Sequence, residues 1–168
     1  MKTRQLAIDA MLAAMCAVLG YVALETNAFK ITFESLPVFV AALMFGPVDG
    51  LLVGGVGTFI YQMLRYGMSA TTFLWILPYV IAGGIMGAYA RKNNFKLSSR
   101  QALFIVMACE LLITVLNTGC IYVDSHIYGY YYPALILGSL GVRLVVCLAK
   151  GFAFGTIIPK LILRVKNA

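Results

Sequence analysis

The sequence predicts an all-α integral membrane protein with six transmembrane helices and both termini in the cytoplasm. Three observations predict it. The chain has 168 residues, of which 62% are hydrophobic and 11% charged. A soluble domain of this size cannot bury so much apolar surface, and several runs approach the ~20 apolar residues that cross a bilayer. The longest run, Leu36 to Met63, is LPVFVAALMFGPVDGLLVGGVGTFIYQM, divided by Gly46-Pro47 and Asp49-Gly50. The basic residues then decide how to read the division. As a helical hairpin, it puts Lys2, Arg4, Arg91, Lys92, Lys96, Arg100, Lys160, Arg164 and Lys166 on the cytoplasmic side and leaves Lys30 and Arg65 outside. As one kinked helix, it sends the basic loop after Tyr89 across the membrane, against the positive-inside bias.

The elements follow in order. Helix one runs from about Arg4 to Leu24. Its Lys2 and Arg4 imitate a signal peptide, but Asp9 interrupts the apolar run and no small-x-small cleavage site follows. Ala10-x-x-x-Ala14 and Ala13-x-x-x-Ala17 are small-xxx-small pairs, which let helices approach closely in lipid. Glu25 to Glu34 is a polar connection that includes Phe29 and Lys30. The hairpin supplies two helices, about Ser35 to Phe45 and Val48 to Leu64. The first is only about 16 Å long. The second carries Gly50, Gly54, Gly55 and Gly57, which suit close packing.

After the loop Arg65 to Ala70, Thr71 or Thr72 can cap a helix to about Tyr89, with a kink expected at Pro78. Arg91 to Lys96 is a basic loop. Ser98-Ser99 can cap a helix from about Arg100 to Tyr122. Asp124 to Pro133 reads as a polar, tyrosine-rich loop, and the last helix runs from about Ala134 to Leu163. No stretch after Gln5 looks like a separate soluble domain, so residues 1–168 are read as one membrane domain.

The formal charge is +7. In an apolar chain this belongs to loops at an anionic inner leaflet, and nucleic acid is not an expected partner. Cys16, Cys109, Cys120 and Cys147 lie inside apolar runs without metal-like spacing, so they read as small hydrophobes. There is no GxxxxGK[ST] loop, no histidine pair and no GxSxG elbow. No ATPase, zinc-protease or serine-hydrolase chemistry is expected of this chain, and no cofactor is implied. The lone His126 reads as a solvated loop residue.

Ionisable residues inside membrane helices are functional candidates by default. Helix five carries Glu110, Thr114, Asn117 and Thr118 on one stripe, and helix six carries Arg143 and Lys150 with Phe154 one turn on. Counting from the inner boundary, Glu110 and Lys150 lie about 13 and 12 Å deep, Asn117 and Arg143 about 24 and 22 Å. Two layers are predicted. The lower pair reads as a structural ion pair or as part of a pocket. In the upper layer Arg143 has no acidic partner at its depth and wants an anion. Trp75 and Tyr79, one turn apart, read either as an interfacial aromatic belt or as a stacking surface for a flat ring. Arg65, at an outer helix end, snorkels or joins the site. Tyr128, Tyr130, Tyr131 and Tyr132 rest at the outer interface or form a lid.

The chain resembles the substrate-binding S components of energy-coupling factor (ECF) vitamin transporters, over essentially its whole length. The resemblance rests on the AxxxA pattern of helix one, on Lys30-Ile31-Thr32-Phe33-Glu34-Ser35-Leu36-Pro37, and on Phe45-Gly46-Pro47-Val48-Asp49-Gly50 before a glycine-rich third helix. The folate-type branch is the nearest match, although an Asp often follows the third-helix glycines there and Gly57 is followed here by Thr58. The resemblance implies a non-catalytic subunit in a bacterial plasma membrane. It binds one vitamin in an outward-facing pocket lined by helices four to six and the loops after helices one, three and five. Phe29 and Arg65 lie on two of those loops.

The resemblance further implies docking of Ala10, Ala13, Ala14 and Ala17 on a membrane T component. Two cytoplasmic ATPases beneath it would drive toppling of the S component. Folate suits the residues: a pterin could stack on Trp75 or Tyr79, Asn117 or Glu110 could bond its ring nitrogens, and Arg143 or Arg65 could pair with its carboxylates. Pantothenate, riboflavin or a related precursor stays open, as does a membrane-embedded enzyme using Glu110 and Lys150 as acid and base.

Overall fold

The structure is a computed structural model and describes residues 3–22, 24–25 and 30–167. It contains six helices: α1 (Thr3–Tyr21), α2 (Ser35–Phe45), α3 (Pro47–Tyr66), α4 (Thr72–Lys92), α5 (Ser99–Ile127) and α6 (Pro133–Asn167). Between α1 and α2, β1 (Leu24–Glu25) pairs antiparallel with β2 (Lys30–Ile31). This short ladder is a departure from the purely helical expectation, and it ends α1 at Tyr21 instead of Leu24.

The divided stretch is a hairpin. A Cβ placed on Gly50 would meet Ala42 Cβ at 2.8 Å, and one on Gly54 would meet Val38 Cγ1 at 3.3 Å. Moving four residues forward on α3 moves four residues back on α2, so the two helices are antiparallel about Gly46. Gly46 makes the turn at φ 115°, a value that side chains avoid, and Pro47 opens α3, where its missing N–H costs nothing.

The same geometry orients the other helices. Gly50 and Gly83 are so close that a Cβ on either would lie 2.5–2.6 Å from the other's carbonyl oxygen. Gly54 meets Tyr79, and Gly87 meets Pro47, so α4 runs antiparallel to α3. Gly57 lies against Cys16 and Gly20 against Tyr61, which makes α1 parallel to α3. Gly151 faces Met107 and Gly155 faces Leu103, so α6 runs back along α5.

α2 is the centre of the packing. Eight of its residues, from Ser35 to Leu43, are buried, as expected for a helix that is apolar on every side. Outward, large apolar side chains such as Met11, Leu64, Phe73, Phe104, Val145 and Phe152 stay more than half exposed. That is the surface of a protein solvated by lipid. Among the described residues, four helices are long and apolar enough to cross a membrane: α1, α4, α5 and α6.

Several local expectations are refined. α4 carries Pro78 in its interior and runs to Lys92 instead of Tyr89. Proline leaves the carbonyl four residues back without its helical donor, and Cys120 Sγ donates to that Leu74 oxygen at 3.3 Å. Cys120 is therefore a hydrogen-bond donor as well as a small hydrophobe. Thr71 does not cap α4, because its hydroxyl is turned to Asp124. α5 runs on to Ile127, so the tyrosine loop shrinks to residues 128–132. His126 consequently ends a helix, with its ring between Tyr122 and Tyr131 at centroid distances of 4.3 and 4.2 Å.

Candidate functional site

One cavity of about 470 Å³ lies between α3, α4, α5 and α6 and the segment before α2. It is at the end of the molecule away from the Gly46 turn, where α3 leads to α4 and α5 to α6. Each wall is a helical stripe. On α5 it is Glu110, Thr114, Asn117, Ile121 and Asp124, spaced by three or four residues. Arg143, Val146, Cys147 and Lys150 make the α6 wall, and Thr71, Trp75 and Tyr79 the α4 wall. Seven of the candidates read from the sequence therefore share one cavity: Glu110, Thr114, Asn117, Arg143, Lys150, Trp75 and Tyr79.

The two layers are both present. At the lower one, Lys150 Nζ lies 3.2 Å from Glu110 Oε2, and Ser35 donates to Glu110 Oε1 at 2.5 Å. Glu110 is 1% exposed, so its charge is balanced by a cation and a hydroxyl instead of by water. Lys150 also lies 5.7 Å from the centre of the Phe154 ring.

At the upper layer, Arg143 Nη1 donates to Thr118 Oγ1 at 3.3 Å. Among the described residues no carboxylate forms an ion pair with Arg143. Asn117 Oδ1 is buried and receives no donor among them. These two groups face one cavity from neighbouring helices, one offering N–H groups and the other a lone pair.

Two acidic residues join the site that the sequence reading did not select. Glu34, 3% exposed, accepts from the Tyr79 hydroxyl and from Thr32 Oγ1, the latter at 3.1 Å. Gly20 on α1 leaves room for it, since a Cβ there would lie 2.7 Å from Glu34 Oε2. Asp124 accepts from Thr71 at 2.5 Å, from Trp75 Nε1 at 3.3 Å and from the Tyr130 hydroxyl. Burial, then the hydrogen bond and negative charge of Asp124, push the Tyr130 phenol up to about 12. The bond thus ties the tyrosine loop to the rim of the cavity across the neutral pH range. Asp124 was legible in principle: it extends the stripe Glu110, Thr114, Asn117 by two further turns. Glu34 carries no such periodic signal.

The remaining candidates lie elsewhere. Arg65 is off the cavity wall: its Nη1 donates to the Tyr21 carbonyl at 3.1 Å, and the guanidinium lies 5.8 Å from the Tyr21 and Tyr66 ring centres. Phe29 lies outside the described residues, as does Lys2. The four alanines of α1 divide. Ala13 and Ala17 are each 5% exposed and packed inside, whereas Ala10 and Ala14 face outward.

A family model described as "ECF transporter, substrate-specific component" matches residues 4–162. The chain belongs to that family. It is the substrate-specific component of an ECF transporter, and catalysis is not its task. The reading of Glu110 and Lys150 as an acid–base pair of an enzyme is set aside accordingly; Glu110 has one oxygen on Ser35 and the other on Lys150. No curated protein matches this S component by sequence.

Solved structures share its fold. A FolT structure bound with folic acid aligns at a TM-score of 0.64 and 19% identity, over 92% of this chain and 93% of that one. The S component of a bacterial ECF transporter aligns at 0.68 and 22%, over 99% and 98%. An S component for biotin from an ECF-type ABC transporter aligns at 0.70 and 14%, over 95% and 91%. Identities this low show a common fold and leave the ligand to be argued from the cavity.

Proposed function

We propose that this S component captures a vitamin from outside the cell, and that the vitamin is folate. One observation carries the reading: a single cavity holds aromatic faces, buried carboxylates and an arginine that has no carboxylate partner among the described residues. A pterin fits the first two, with its ring against Trp75 or Tyr79 and its N–H edge toward Asp124 or Glu34. The glutamate part of folate suits the third. Its carboxylate would pair with Arg143 through charge-assisted hydrogen bonds, and an amide N–H would meet Asn117 Oδ1. The volume lies in the ordinary range for small-molecule sites. Thr58, the residue that departs from the folate-type pattern, is not among the cavity-lining residues and so does not alter their chemistry.

The test is calorimetry on the purified chain with folate, pantothenate, riboflavin and biotin in turn. Tight binding of folate alone is the expected result. Preference for pantothenate or riboflavin would keep the capture role and replace the substrate. No binding of any of them would remove the reading.

The same proposal places all six helices across the bacterial plasma membrane. The alternating helix directions support it, as does the gathering of Arg4, Arg91, Lys92, Lys96, Arg100 and Lys160 at the end away from the cavity. Cysteines introduced at Asn93 and at Ser69 give the check with an impermeant thiol reagent on intact cells. Ser69 is expected to react from outside and Asn93 only after the membrane is opened; reaction of Asn93 from outside would reverse the topology. In this arrangement the partners are a membrane T component and two ATPases, and toppling driven by those ATPases turns the cavity inward. The outward face of α1 with Ala10 and Ala14 is the part of the alanine motif free to dock.

A further inference from the structure

The α5 stripe ends in a carboxylate that the protein's own donors already engage. Asp124 is 9% exposed, and groups from three segments donate to it. Thr71, just before α4, reaches Oδ1 at 2.5 Å. Trp75 Nε1, one turn into α4, reaches the same oxygen at 3.3 Å. The Tyr130 hydroxyl, beyond the end of α5, takes Oδ2. A carboxylate oxygen has two lone pairs to offer, so Oδ1 is full. A buried carboxylate needs such donors, and here they come from both connections at this end of the cavity.

The turn that carries Tyr130 is shaped to return to this acid. Gly129 has φ 73°, a left-handed value that suits glycine. The Tyr130 N–H then donates to the Ser125 carbonyl at 3.0 Å, the longer of the two bonds of a Schellman turn. So closed, the backbone brings the Tyr130 side chain back to the last turn of α5. One turn deeper, α5 is fastened to α4 again where Cys120 meets the Leu74 carbonyl. Asp124, Thr71, Trp75 and Tyr130 all line the cavity. Trp75 carries a single donor, its indole N–H. The bond to Asp124 therefore selects one rotation of the ring, and with it the surface that the indole turns to the cavity.

We propose that Asp124 is a positioning residue for vitamin capture: it fixes the Trp75 indole at the cavity wall and latches the α5–α6 turn through Tyr130, so that the stacking surface and the turn are coupled. The consequence for binding rests on the capture reading; the coupling itself does not. Asp124 acts through Trp75 and Tyr130 and does not meet the ligand. A flat ring stacked on Trp75 steadies the indole, and the shared carboxylate passes that order to the turn. Loss of either bond alters the other, because both end on one side chain.

Trp75 is the one tryptophan of the chain, so an isotope-labelled sample of the full chain in detergent gives a single indole N–H resonance. Without ligand, Asp124→Ala is expected to move that resonance upfield. Asp124→Asn keeps an acceptor oxygen and should restore part of the shift. Tyr130→Phe removes one hydroxyl from a half-exposed side chain and should also move the resonance, although the indole and its acceptor are both still present. With folate as the probe, quenching of Trp75 emission is expected to show dissociation about tenfold faster in Tyr130→Phe, the weight of one hydrogen bond to a charged group. An indole resonance that Tyr130→Phe leaves in place would overturn the proposal. So would a wild-type dissociation rate in that variant. A folded Asp124→Ala that weakens folate but leaves the ligand-free resonance unmoved would overturn it too, by putting the acid on the ligand itself. Should Asp124→Ala fail to fold, Tyr130→Phe decides alone. If no vitamin binds, the capture reading falls, and the ligand-free resonances still decide whether Asp124 couples the indole to the turn.

Discussion

Arg143→Ala is expected to weaken vitamin binding by roughly ten- to a hundredfold, because a hydrogen bond to a charged group is worth about 1.5–3 kcal/mol. The protein itself should lose little stability, since the one hydrogen bond Arg143 makes to another side chain among the described residues is to Thr118 at 3.3 Å. Arg143→Lys separates the terms. Lysine keeps the charge but cannot present the planar fork that matches a carboxylate, so it should recover part of the affinity and not all of it. Calorimetry gives the affinities, and thermal unfolding in the same detergent confirms that each variant is folded. A folded Arg143→Ala protein with wild-type affinity would mean that the ligand's anionic group, if it has one, is held elsewhere.

Glu110→Ala is expected to have the larger effect on the fold. It leaves the Lys150 ammonium, 13% exposed, without its counter-charge, and breaking one side of a buried pair costs about 3–5 kcal/mol. The Ser35 hydroxyl also loses its acceptor. Replacing both charges with apolar residues, Glu110→Leu with Lys150→Met, should be far milder, because no buried charge is then left alone. The thermal midpoints of the single and double variants decide it. If the double variant is as unstable as Glu110→Ala, the cost comes from repacking and not from the stranded ammonium. If the double variant is stable but has lost the vitamin, the lower layer is part of the pocket as well as its floor.

The site was half legible in the sequence, and the division has a physical cause. A helix stripe can be seen from spacing alone, so Glu110, Thr114 and Asn117 stood out, and depth counting paired Glu110 with Lys150 across two helices. Asp124 belongs to the same stripe but reads in the sequence as the beginning of a loop. Helix ends are set by what the terminal groups find to bond, and here the Asp124 side chain finds Thr71 and Trp75 on α4 and Tyr130 beyond the turn. Glu34 was equally hidden. Its place depends on Tyr79, 45 residues away in the chain, and on the space that Gly20 leaves open. Arg65 shows the converse: its charge and position qualified it, but the Tyr21 carbonyl takes it up.

Composition and the spacing of glycine, proline and charge determined the class of this protein, the hairpin at Gly46 and the polar stripe of α5. Those features are local, or are set by the surrounding lipid, and each can be read one helix at a time. The cavity's two further acids, Glu34 and Asp124, the two alanines turned inward, the thiol of Cys120 on the carbonyl freed by Pro78 and the bond from Gln5 to Asp49 were decided only in three dimensions. Each depends on which faces of two or more helices meet, and close glycine contacts across α1, α3 and α4 set that register.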